Sequence, residues 1–104
     1  TQEEFHVILL DTKRCVLSTC HIATGILDGA LVAPREVFSK AIKQAASAVI
    51  LVHNHPSGAI EPSQEDRLLT SRMVEAGKIV GIDVLDHIIV GHLGYASAKE
   101  EGWL

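Results

Sequence analysis

Two histidines one residue apart, His53 and His55, are followed by Ser63 and Asp66, and these four carry the strongest chemical signal in the chain. Imidazole nitrogens and a carboxylate oxygen are donors that hold a borderline divalent cation such as zinc. The run SAVILV ahead of His53 is rich in β-branched residues and bounded by turn formers. Residues 47–52 are therefore read as a buried strand that carries both histidines out at its C-terminal end. Strand side chains alternate, so the pair faces one side at about 6–7 Å between Cα atoms, a spacing from which two rings can converge on one ion. Pro56, Gly58 and Pro62 punctuate a loop, and Ser63 opens an apolar-periodic segment containing Leu68, Leu69, Met73 and Val74, predicted as a helix over 63–76. Asp66 in its first turn can reach back across the loop. Two nitrogens and one oxygen leave a fourth tetrahedral position for water, the pattern of catalytic zinc, whereas structural zinc is closed by four protein ligands.

The same letters have plainer meanings. Ser63-x-x-Asp66 is also a capping box, in which Ser63 accepts a hydrogen bond from the helix backbone and Asp66 sits at the positive helix end. The two readings are compatible, because the hydroxyl can cap through one lone pair and still donate its proton. His53-Asn54-His55 spells the name of a nuclease motif, but the residues of that motif are spread over a much longer ββα unit, so the contiguity here is a coincidence of letters.

His53-x-His55-Pro56 followed by Ser63-x-x-Asp66 resembles the signature of the JAMM (JAB/MPN) metalloproteases. The surrounding text, HNHPSG at 53–58, PSQED at 62–66, PRE at 34–36, LDH at 85–87 and GWL at 102–104, resembles the bacterial RadC proteins over essentially the whole chain. The resemblance implies an α/β fold with a mixed β-sheet sandwiched by helices, the cytidine-deaminase-like three-layer arrangement of JAB/MPN domains. It implies one Zn2+ per chain on His53, His55 and Asp66, with Ser63 donating to the oxyanion of a tetrahedral intermediate, a contribution of about 3–4 kcal/mol from comparable donors. It also implies a DNA-repair association, a bacterial cytoplasmic setting, and an upstream helix-hairpin-helix region not contained in these residues. Residues 1–104 are then a single JAB/MPN-type domain from the C-terminal part of a longer protein.

Attack on an amide also needs a group that takes the proton from water and hands it to the leaving amine, a task suited to a carboxylate that is not itself a ligand. Relatives in the JAMM family place a Glu at the start of an early strand, and Glu3 and Glu4 stand immediately before FHVILL. The Glu-x-Phe pattern of RadC sequences favours Glu3, whereas the spacing in other JAMM proteins favours Glu4. Adjacent strand residues face opposite ways, so only one can point in. Asn54 departs from the Ser or Thr found between the histidines of deubiquitinating members, and the loop over 57–61 is shorter than their ubiquitin-holding insertions. A ubiquitin-like substrate is therefore not supported.

One domain is what 104 residues allow, and 47% hydrophobic residues with few aromatics imply a core of Val, Ile, Leu and Ala. The longest apolar runs fall far short of a membrane span, and no basic-then-apolar segment marks a secretion signal. Nine basic residues, scattered among thirteen acidic ones, give a net charge of −4 and no basic footprint, so strong DNA binding by this domain alone is not expected. Cys15 and Cys20 lack a second Cys-His pair and are read as free thiols.

Along the chain, residues 3–11 suit a central strand, 11–14 a polar turn, and 15–22 a second strand forming an antiparallel hairpin with the first. Residues 25–31 read as loop followed by an edge segment. Pro34 begins an amphipathic helix over 34–46 that feeds the His53 strand. Gly77 and Gly81 bracket the end of the second helix, residues 82–90 form a further strand or a pair of short strands, 95–97 a last short one, and 98–101 a single helical turn before Trp103 packs down. Strands mixed with two main helices make a two- or three-layer α/β sandwich. Asp86 and His87 are adjacent in an apolar strand. One of them must point inward, either as a hydrogen-bonded structural pair or as a support for a ligand histidine. His6, His21 and His92 have no spacing that suggests ligation, and Glu61 and Glu65 read as solvated charges.

The function expected is a zinc-dependent hydrolase acting on an amide or isopeptide-like bond of a peptide or protein substrate. The alternatives are a DNA-repair scaffolding module, with any metal structural, and a metal-dependent nuclease. Two His and one Asp would also accept Mn, Fe or Ni. The oligomeric state stays open.

Overall fold

The computed structural model describes residues 2–25 and 32–104. Its framework is a five-stranded mixed sheet with three helices, the mixed α/β architecture expected from the sequence. The strands are β1 (Glu4–Leu10), β2 (Val16–Thr24), β3 (Ala48–Asn54), β4 (Asp83–Val90) and β5 (Tyr95–Ser97), and the helices are α1 (Pro34–Lys43), α2 (Gln64–Val80) and α3 (Ala98–Glu101). Strand order is β2-β1-β3-β4-β5. β1 pairs antiparallel with β2 and β3, β3 runs parallel to β4, and β5 returns antiparallel along β4.

Alternation on the strands sets the core. Phe5, Val7 and Leu9 of β1 lie opposite His53, Leu51 and Val49 of β3. This sheet face is buried by Val37, Phe38 and Ala41 of α1 and by Leu69 and Met73 of α2. The opposite face, with His6, Ile8, Ile50 and Val52, is only half-buried. The expected edge segment over 25–31 falls almost entirely outside the described residues.

Helix α2 runs further than its sequence suggests, through Gly77 and on to Val80, where Gly81 closes it in a left-handed conformation (φ 77°). Gly77 is tolerated inside the helix because the chain folds back against it. Its carbonyl accepts from the amides of both Gly81 and Ile82, and a Cβ at this position would lie 2.4 Å from the Ile82 carbonyl oxygen. The apolar stripe therefore continues past the residue that looked like a stop. Among the described residues no helix is long and apolar enough to cross a membrane.

The parallel pair β3–α2–β4 is a βαβ unit, and such units present ligand sites beyond the carboxyl ends of their strands, where the helix begins. His53, His55 and the first turn of α2 meet at that point. Because backbone crowds Gly77, Gly77→Ala should destabilise the fold by up to about 2 kcal/mol, an overpacking cost of about 1–3 kcal/mol less about 1 kcal/mol of regained helix propensity. It should lower the urea midpoint at unchanged slope.

Candidate metal centre

His53 is the penultimate residue of β3 and is 3% exposed, its ring stacked on Phe5 at 5.9 Å with an interplanar angle of 18°. His55 lies just past the strand, but its amide still donates to the Val90 carbonyl (2.9 Å), so it keeps the strand's direction for one more residue. The two rings therefore meet, Nε2 to Nε2, at 3.0 Å. Asp66 comes from the first turn of α2 and closes the group. Its Oδ1 is 3.1 Å from His53 Nε2 and its Oδ2 is 3.1 Å from His55 Nε2. The capping box is present as well: Ser63 Oγ accepts from the Asp66 amide (3.0 Å), and Asp66 Oδ2 accepts from the Ser63 amide (2.8 Å). One carboxylate thus serves both the helix start and the histidine pair.

The far sides of the rings fix what faces inward. His55 Nδ1 is 2.9 Å from the Ala59 carbonyl, which can only accept, so Nδ1 carries the proton and Nε2 presents a lone pair. Thr70 Oγ1 donates to the Asp66 carbonyl (2.8 Å), so it must accept from His87 Nδ1. His87 Nε2 is then an acceptor, and it takes the proton of His53 Nδ1 at 2.7 Å. The Nε2 of His53 is left, like that of His55, with a lone pair aimed at the other ring and at Asp66.

His87 can play this part because it is fully buried, covered by the Trp103 ring, and stays neutral. Burial, with the adjacent His53, pushes its pKa down from 6.5 to about 3. Burial works against ionisation of Asp66, but the adjacent His53 ring and the hydrogen bond from the Ser63 amide outweigh it and hold the carboxyl well below the usual range. Two lone pairs and a carboxylate within 3.1 Å repel one another unless a proton or a metal cation sits among them. A tetrahedral ion at 2.0–2.1 Å from each ligand separates them by about 3.3–3.4 Å, so the donors need open by only a few tenths of an ångström. The donor set fits a zinc ion.

The structure also separates the two glutamates. Glu3 faces the side of Phe5, and its carboxylate lies within 4.8 Å of the His53 and His55 nitrogens. Glu4 faces away and pairs with His6 at 2.9 Å. Asn54 holds this segment in place, its Oδ1 accepting from the Glu4 amide (2.6 Å) and its Nδ2 donating to the Gln2 carbonyl (3.2 Å). The residue between the histidines thus tethers the strand start that carries Glu3, a role its sequence position did not suggest. Asp86 accepts from the His87 backbone amide (2.8 Å) and not from a histidine ring. It accepts from Ser97 Oγ and from the Lys99 amide (2.9 Å), anchoring the turn into α3, and the inward member of that pair is His87. His6 and His21, read as unpartnered, stand side by side across β1 and β2 with ring centroids 5.1 Å apart.

A buried neutral histidine has a definite pH signature. The unfolded chain takes up a proton at this ring below about pH 6.5 and the folded chain does not until about pH 3, so stability falls as pH is lowered through that window. Asp66 adds to the loss only further down, below its ordinary value of 3.8. In chelator, His87→Gln should flatten the stability–pH profile between these limits by up to about 1.4 kcal/mol per pH unit, measured by urea unfolding.

Comparison with known proteins agrees with this geometry. A family model described as RadC-like JAB domain matches residues 1–103. A UPF0758 protein of Symbiobacterium thermophilum is 54% identical over 102 residues, covering 98% of this chain and 44% of that protein. Relatives of the same name from Rubrobacter xylanophilus and Methanosarcina barkeri are 55% and 48% identical over 103 residues, each covering 99% of this chain and 45% of the relative. The chain therefore spans a little under half the length of the curated relatives it matches. With these matches beside the fold and the His-x-His-Pro site, the chain belongs to the RadC family and carries its JAB-type domain.

Proposed function

We propose that this domain is a zinc-dependent hydrolase acting on an amide or isopeptide bond of a peptide or protein substrate. The observation that carries the reading is the meeting of His53 Nε2, His55 Nε2 and the Asp66 carboxylate at one point, with the Glu3 carboxylate within 4.8 Å of the two histidines. A zinc ion held by His53, His55 and Asp66 would supply Lewis acidity that makes water a nucleophile near neutral pH.

The remaining work belongs to the chain. Glu3, within 4.8 Å of the histidine nitrogens, is placed to take the proton of the attacking water and deliver it to the leaving nitrogen. Ser63 accepts from the Asp66 amide through a lone pair, which leaves its O–H to donate to the oxyanion that develops on the substrate carbonyl. His87 and Thr70 keep His53 in the tautomer that presents Nε2. Burial of His53 and Asp66 at the strand end limits competing water on that side.

Elemental analysis after dialysis without chelator should find zinc in the wild-type chain, with about one equivalent lost in His53→Ala and in Asp66→Ala. A zinc content unchanged in both variants, or none bound after zinc is added back, would remove the reading. Against a mixed peptide and isopeptide library read by mass spectrometry, Glu3→Gln should keep its zinc yet lose turnover by about 10²–10⁴-fold. Glu4→Gln should retain cleavage. Cleavage of DNA with no cleavage of peptides would transfer the same centre to phosphodiester chemistry.

A further inference from the structure

We propose a second zinc site, built by Glu4, His6 and His21 on the outer face of the β1–β2 hairpin, on the other side of the strand from the His53 centre. Its three donor atoms lie within 4.8 Å of one another, and His6 Nε2 is already 2.9 Å from Glu4 Oε1. The site stands independently of the hydrolase reading.

The backbone builds this cluster by an irregularity. Phe5 pairs with Ala23, but the next residue, His6, pairs with His21, so Ile22 is the extra residue of a β-bulge. Without the bulge His6 would lie opposite Ile22, and His21 would turn toward the other face. With it, Ile22 and Ala23 both pack against the core while His21 is re-aimed outward beside His6. Glu4 and His6 share that face because they are two residues apart on a strand. The two rings stand edge to face at 73° with centroids 5.1 Å apart. His21 Nε2 is hydrogen-bonded to Thr24 Oγ1, which orients the ring and directs Nδ1 elsewhere, as the outer partner of a metal-ligating histidine does.

Two imidazoles and one carboxylate are the donor set of a tetrahedral zinc with an open position. Glu4 and His21 are exposed, so their side chains are less firmly held and zinc is bound more weakly than at His53. Neither ring is needed for the core, and substitution here leaves the fold intact.

Titration of the metal-free chain with zinc against a chromophoric chelator at neutral pH should show two binding events. The weaker should disappear in His21→Gln and persist in His53→Ala. In histidine ring NMR of the wild-type chain, the second equivalent of zinc should shift the resonances of His6 and His21 and leave those of His53 and His55 as the first equivalent left them. A single event in the wild-type chain that survives His21→Gln, or a second equivalent that leaves the His6 and His21 rings unshifted, would overturn the site. A single event abolished by His21→Gln would uphold it and instead count against zinc binding at His53.

Discussion

Three electron-pair donors aimed at one buried point form the constraint on which this structure turns. His53, His55 and Asp66 come within 3.1 Å of one another, and each is fixed from behind: His53 by His87, His55 by the Ala59 carbonyl, and Asp66 by the Ser63 amide. None of these outer bonds can be kept while its ring or carboxylate turns away. The repulsion is therefore built in, and a cation is what resolves it. The fold supplies the point itself, since the carboxyl end of β3 and the first turn of α2 meet wherever a βαβ unit closes.

Order around that point spreads through shared atoms. Asp66 is at once a helix cap and a member of the centre, so the start of α2 and the histidine pair are positioned by one carboxylate. Thr70, one turn further along α2, ties His87 of β4 to the Asp66 carbonyl, which links helix, both parallel strands and centre in one hydrogen-bonded chain. Asn54 extends the same logic to the antiparallel side by clasping the segment that precedes β1. Glu3 is thereby delivered to the centre by a strand remote in sequence from it.

How much of this could be read from the letters follows from the range of the interactions. The His-x-His alternation, the Ser63–Asp66 spacing and the strand–loop–helix order are local, and the sequence shows them directly. The choice between Glu3 and Glu4 is not local, because it depends on the pairing of Phe5 with His53, which puts the odd-numbered residues of β1 on the core side. His87 was legible only as one of an Asp–His pair with one inward member, and only the packing of β4 against α2 shows which. Gly77 looked like a stop because a glycine's conformational freedom is visible in sequence while the close approach of Ile82 is not. The bulge that unites His6 and His21 leaves no mark in the letters at all.

Diffraction at the zinc absorption edge, from crystals grown with the metal, would locate the ion. An anomalous peak is expected about 2.0–2.1 Å from His53 Nε2, His55 Nε2 and one Asp66 oxygen, with His87 still bonded to His53 Nδ1. A peak on Nδ1 of either ring, or no ion at this point when zinc is in excess, would contradict zinc binding by these three residues.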